Sequence, residues 1–266
     1  MIFRWLVHES FTKSERLIAM INDLGMVTKQ QLLTITGWEK RHLEWAIESI
    51  RKRAARPEEK ELWLKAYYFP HKTTTVYSLG RLGAEYALAM QQEARRLKDP
   101  PRAQLSHYIG INDILVRLLE AGISRERLQW GSTVESTDSL IRLWEWNHKQ
   151  VDRKQMIRPD ALLKIDEKFK FWIEFDNNTE GPKKLERKYH DYIKTLSPIS
   201  EKSPIIWVTN EEKRRTYLEE NWDLLCKNFY KNQTDLPKMY FFTLKNETNF
   251  ILNELGKLTL ESTYDW

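Results

Sequence analysis

The sequence of 266 residues is 41% hydrophobic and 30% charged, with nine glycines and nine prolines, the balance of a globular chain with one or two cores. No apolar run reaches the roughly 18 residues of a membrane span. The opening MIFRWLVHES lacks the apolar stretch and small-residue cleavage site of a signal peptide. The single cysteine, Cys226, lies in the apolar helical stretch WDLLCKNF and cannot form an internal disulfide; it is expected in the core rather than as a nucleophile, in a reducing, cytoplasmic compartment. The net charge of +5 is uneven: residues 1–104 hold 18 Lys/Arg against 12 Asp/Glu, and residues 105–266 hold 25 against 26. A local basic surface is the electrostatic requirement for holding phosphates.

In chain order, Leu17, Ile18, Met20, Ile21 and Leu24 recur at helical spacing and stop at Gly25, a natural C-cap. Thr28 is placed to cap a short helix, KQQLLTI, that ends at Gly37. A third helix starts near Trp38 with Leu43, Ala46, Ile47 and Ile50 on one face. Two β-prone runs, Leu62 to Phe69 and Thr74 to Leu79, flank Pro70-His71-Lys72-Thr73, and a helix from Ser78 to Met90 follows. This is the order of a winged helix-turn-helix. Its third helix is expected to enter the major groove of double-stranded DNA, with the hairpin along the backbone. The candidate DNA contacts are Lys40, Arg41 and His42 at the start of that helix, Arg51, Lys52 and Arg53 at its end, and His71 and Lys72 on the wing. Glu39, Glu44 and Glu48 pull the other way, because carboxylates repel phosphates. The same order also serves modules devoted to protein contacts or dimerisation.

The segment Arg95-Arg96-Leu97-Lys98-Asp99-Pro100-Pro101-Arg102 cannot continue a helix through its double proline. It predicts a DNA-binding domain over 1–100 and a second domain over 101–266. In the second part an amphipathic helix, Tyr108 to Leu119, precedes a strand, Leu128 to Val134; Ser136 to Lys154 resists assignment. Arg158 to Ile165 and Phe169 to Phe175 read as strands joined by Asp166-Glu167. A helix from Lys183 to Leu196, a strand over Ile205 to Val208, a helix from Glu211 to Phe229 and a strand from Met239 to Leu244 complete the pattern. The fold class expected is α+β, with helices covering a mixed sheet.

The chemistry-bearing residues are Arg158-Pro159-Asp160 and Glu174-Phe175-Asp176. On paired neighbouring strands Asp160 and Glu174 come close, and Asp176 shares a face with Glu174 because strand side chains alternate. Clustered carboxylates repel one another, and Mg²⁺, which takes one or two carboxylates plus waters and phosphate oxygens, relieves that. No zinc-ligand spacing, Walker-type loop, dinucleotide fingerprint or nucleophile elbow is present.

Asp160 with Glu174-Phe175-Asp176, on a hairpin ahead of the Lys183–Leu196 helix, resembles the core of the PD-(D/E)XK nuclease superfamily. Asp176 stands where that superfamily carries its lysine; some members move the lysine to the following helix, where Lys184 and Lys188 are candidates. A winged helix, then His107-x4-Asn112-Asp113, Arg158-Pro159-Asp160, Glu174-Phe175-Asp176-x3-Glu180 and Lys188-x3-Tyr192 resembles the replication-relaxation family of plasmids and mobile elements. The resemblance implies a role in plasmid or mobile-element replication, relaxation or mobilisation, with a relaxase or replication protein as partner; a second copy of the chain is expected only because winged helix-turn-helix modules commonly bind palindromes in pairs. If the domain cuts DNA, Asp160 and Glu174 are its implied Mg²⁺ ligands, Asp176 assists, and Lys188 orients water or meets developing charge. Three readings stay open: a DNA-binding accessory protein with an inactive nuclease-like domain, a Mg²⁺-dependent endonuclease, and a protein-interaction module.

Overall fold

A computed structural model describes residues 2–69, 74–91, 102–153 and 155–261. The wing tip with His71 and Lys72, and the boundary segment 95–101, lie outside the described residues. The fold is mixed α and β, as expected, and the chain separates into two compact units, Met1–Glu126 and Arg127–Trp266.

In the first unit α1 (Lys13–Leu24) opens on a reciprocal capping box between Thr12 and Glu15 and ends at Gly25, whose φ of 74° suits glycine. A two-residue strand, β1 (Val27–Thr28), leads into α2 (Lys29–Thr36), capped by a second box, Thr28 with Gln31. Next, α3 (Lys40–Arg51) buries Leu43, Ala46, Ile47 and Ile50, the face its periodicity predicts. The expected strand start at Leu62 is corrected: α4 (Lys60–Trp63) is a helical turn, and β2 (Leu64–Phe69) follows it. The carbonyl of Trp63 accepts from the Gly80 N–H and lies so near Gly83 that a Cβ there would meet it at 2.2 Å. β3 (Thr74–Leu79) pairs antiparallel with both β1 and β2, giving the order β1-β3-β2, and α5 (Arg81–Gln91) follows.

The expected break near residue 100 is displaced, because α6 (Leu105–Glu120) packs within the first unit. The Asn112 amide donates to the Leu24 and Met26 carbonyls, and the Gln31 amide donates to the Ile109 carbonyl and the Asp113 carboxylate. Asn112 and Asp113 of the resemblance motif therefore tie a helix to its neighbours. With that boundary, the first unit holds 20 Lys/Arg against 15 Asp/Glu, and the second holds 23 against 23. All of the excess positive charge lies in the first unit.

The second unit is a five-stranded sheet in the order β4-β5-β6-β7-β8. β4 (Leu128–Ser132), β5 (Ala161–Ile165) and β6 (Phe169–Asp176) form an antiparallel meander; β7 (Ile205–Thr209) and β8 (Met239–Thr243) continue it in parallel. Asp166 and Glu167 both take positive φ, 52° and 57°, the conformation of a tight hairpin turn. The unassigned stretch after β4 is α7 (Thr133–Trp146), opened by the Glu135 side chain accepting from the Ser132 N–H at 3.1 Å. α8 (Pro182–Leu196) and α9 (Glu212–Phe229) cross between the parallel strands, and α10 (Asn246–Glu261) is a further helix beyond the expected elements. Tyr189 of α8 makes edge contacts with Trp207 of β7, Trp222 of α9 and Phe241 of β8. That aromatic layer seats both helices on the face bearing Glu174.

Candidate functional site

Register brings the first two carboxylates together. Ala161 pairs with Ile173, so Asp160, one residue earlier, falls beside Glu174, and the Phe175 N–H donates to Asp160 Oδ2 at 2.9 Å. Glu174 is fully buried. Its Oε2 accepts from Lys188 Nζ at 2.7 Å, and its Oε1 accepts from the hydroxyl of Tyr192, also fully buried. Lys188 and Tyr192 reach the same carboxylate because they lie one turn apart on α8. Between the two lysine candidates the geometry selects Lys188: Lys184 instead meets Glu180 at 2.9 Å on the surface. Lys188 Nζ also lies 4.8 Å from the centre of the Trp207 ring.

Burial pushes Glu174 well above the usual carboxylate range, against the Lys188 ammonium, with Asp160 adding to the push. Burial alone would lower Lys188, but Glu174, Asp160 and Glu180 together raise it, so the ammonium form is held. Both Glu174 oxygens act as acceptors, the arrangement a carboxylate makes with two donors.

Asp176 shares the face of Glu174, as alternation requires, but serves a separate cluster. Its Oδ2 accepts from Arg214 at 2.7 Å and its Oδ1 from Arg214 Nε at 3.1 Å and the Asn178 N–H at 2.6 Å. Arg214 also donates to the Glu180 carbonyl at 2.8 Å. This two-pronged clamp joins the end of β6 to α9. Among the described residues no three His, Cys, Asp or Glu side chains gather in a way that would hold a metal ion. The three expected ligands are therefore not gathered around one point: Asp160 lies beside Glu174, whose two oxygens accept from Lys188 and Tyr192, while Asp176 is clamped by Arg214.

The DNA-contact candidates separate into exposed and committed groups. Lys40, Arg41 and Lys52 are exposed, and His42 and Arg51 are half-buried at the flanks. Arg53 is committed within its own unit. It lies over the Tyr86 ring at 4.5 Å and meets Glu15 at 3.3 Å, while the Tyr86 hydroxyl donates to Glu15 at 2.6 Å. Burial would raise Glu15, but the Tyr86, Thr12 and Arg53 donors outweigh it and hold the carboxyl down at about 2. The central outward stripe of α3 is Arg41, Trp45, Glu48 and Lys52, and Trp45 is 58% exposed. Trp45 was missing from the sequence candidates, although it stands opposite Leu43, Ala46, Ile47 and Ile50 on the helical wheel. Carboxylates neighbour this stripe: Glu39 meets Arg41 at 2.8 Å and Glu44 meets Lys29 at 2.6 Å. Cys226 is half-buried and its thiol is pushed up by burial to about 11, which keeps it a poor nucleophile.

The replication-relaxation family model matches residues 18–204, more than half of the chain, and the chain belongs to that family. The match reaches from α1 past α8 and so includes Asp160, Glu174, Lys188 and Tyr192, while Arg214 lies beyond it. No curated protein and no solved structure matches the chain. Among the described residues no helix is long and apolar enough to cross a membrane.

Proposed function

We propose that the chain is a cytoplasmic DNA-binding protein of plasmid or mobile-element DNA processing, whose second unit is a nuclease-like fold that does not cut. In this reading the first unit is a winged helix-turn-helix that lays α3 in the major groove of double-stranded DNA. One observation carries it: α3 turns Arg41, Trp45 and Lys52 outward from a unit that holds all of the net positive charge. Family membership supports the process. The neighbouring glutamates weaken the patch without closing it, since exposed ion pairs contribute little and are given up readily for a phosphate. A relaxase or replication protein, and a second copy of the chain, are the partners this reading expects.

Gel-shift titration on plasmid-derived duplex fragments tests it. Replacing Arg41 and Lys52 together by Ala should weaken binding about tenfold and flatten the salt dependence by about two units of slope. Failure of the wild-type chain to bind any duplex overturns the reading.

A second reading, a Mg²⁺-dependent endonuclease, is favoured by the proximity of Asp160, Glu174 and Lys188. Incubating plasmid and linear DNA with the protein and Mg²⁺ or Mn²⁺ separates the two. Cutting that Asp160→Ala abolishes, with DNA affinity retained, supports the second; intact DNA supports the first.

A further inference from the structure

Beyond the α3 face, the second unit contains a cleft of about 660 Å³ between α8 and the stretch that follows α7. Its walls are pinned rather than loosely apposed: Trp144 Nε1 donates to the Thr195 carbonyl at 2.8 Å, and the Ile157 N–H donates to Thr195 Oγ1 at 3.4 Å. Lys183, Arg187 and Lys194 line one side at helical spacing, and Arg158 faces them from the other. Arg187 sits 3.8 Å from Asp191, at the outer limit of an ion pair. Among the described residues no carboxylate lies within ion-pair distance of Arg158, Lys183 or Lys194. Glu186, Asp191 and Asp152 also border the cleft, so the site is not uniformly positive. Arg158, Lys183 and Lys194, without a carboxylate partner among the described residues, nevertheless line it together with the half-buried indole of Trp144.

This combination has a specific chemical match. Cations at helical intervals track a phosphodiester backbone, and an indole offers a base a stacking surface whatever its identity. The volume is that of a pocket for a small ligand, large enough for a nucleotide or two and too small for a duplex. We infer that the cleft holds a short stretch of single-stranded DNA, with its phosphates on Arg158, Lys183 and Lys194 and a base against Trp144. The inference rests on the DNA-binding reading above but assigns a second, strand-selective contact to the other unit.

Fluorescence anisotropy of the full chain with a labelled 12-nucleotide strand, and separately with a duplex of equal length, tests it. Three proteins are compared: wild type, the cleft variant Arg158→Ala/Lys183→Ala/Lys194→Ala, and the α3 variant Arg41→Ala/Lys52→Ala. All five side chains are exposed, so both variants should melt as wild type does. The cleft variant should bind the strand at least tenfold more weakly, with its salt slope reduced by about 0.7 for each phosphate no longer neutralised, and should keep its duplex affinity. The α3 variant should show the reverse. Strand binding that is absent from wild type, unchanged in the cleft variant, or abolished only in the α3 variant overturns the inference. In each case duplex binding that depends on α3 leaves the first proposal standing. Photocrosslinking of an iodouracil-bearing strand gives an independent reading: crosslinks should fall on the peptide containing Trp144, and crosslinks confined to α3 overturn the inference.

Discussion

The two units hold opposite charges together in opposite ways. At the start of α3 the cation of Arg41 and the carboxylate of Glu39 both stand largely in water, 76% and 65% exposed. In the second unit the Glu174 carboxylate is sealed, and the lysine that meets it is 19% exposed. A surface pair can exchange its partner for a phosphate at small cost, because water already screens it. A buried pair cannot, since either charge alone in the interior lacks its compensation. The first pair can therefore be opened by a contact at small cost, and the second cannot.

The sharpest way to break that contrast is Lys188→Met. It leaves Glu174 buried beside Asp160 without its cation, and should cost about 4 kcal/mol in urea unfolding. Adding Glu174→Gln should recover most of the loss, because the remaining group is neutral and Tyr192 still has an acceptor. The sign with pH follows from the direction of the shift. Glu174 titrates above its unfolded value because burial penalises its charge, and the Lys188 ammonium opposes that penalty. The deficit of Lys188→Met should be smallest where Glu174 is protonated in both proteins and grow as pH rises through the raised folded value of wild-type Glu174. A deficit independent of pH would place the lysine's importance in packing instead.

A smaller effect is expected at the neighbouring clamp. Arg214→Ala strands Asp176, whose second oxygen loses its donor while the first keeps the Asn178 N–H. A loss of about 2–3 kcal/mol is expected from thermal or urea unfolding. Arg214→Lys should recover only part of it, because one ammonium cannot reproduce both prongs of the guanidinium.

In the first unit Glu15→Gln should cost about 1–2 kcal/mol at neutral pH, less than the full shift implies, because the site retains some water. With the carboxyl held down at about 2, its contribution is present above the unfolded value of about 4.5. It should fade as pH falls from there towards 2. Unfolding curves of wild type and variant that remain parallel over that interval would assign the loss to shape rather than charge.

Much of this architecture was legible because it is local. The apolar face of α3, the Thr28 cap and the Asp166-Glu167 turn each follow from a few adjacent residues, and the nearness of Asp160 to Glu174 followed once the hairpin was read. α7 was missed because its buried stripe is only Ser136, Leu140 and Ile141, with exposed Trp146 obscuring the period. Its one clear signal was Ser132-x-x-Glu135, the spacing of a capping box. The partners of Asp176 and Glu174 divide along the same line. Lys188 was one of two lysines that the family resemblance offered on the helix after the hairpin, whereas Arg214, 38 residues beyond Asp176, is a tertiary pairing with no periodicity to announce it. The placement of α6 failed for a related reason: Pro100-Pro101 marks where a helix must stop, but not which core the next helix joins.

The smallest stability effect is expected where the effect on binding matters most. Trp45→Ala removes a large side chain that is 58% exposed, so folding stability should change by no more than about 0.5 kcal/mol. Duplex affinity should nevertheless fall several-fold in gel shift, because an aromatic ring in the middle of the α3 stripe loses its exposure when a partner covers it. Its salt dependence should stay as in wild type, since every phosphate keeps its cation, and this distinguishes it from the flattened slope of Arg41→Ala/Lys52→Ala. If Trp45→Ala leaves duplex binding intact but abolishes self-association in sedimentation, the stripe is a protein interface. The contrast between the units would then survive with a different partner on its open side.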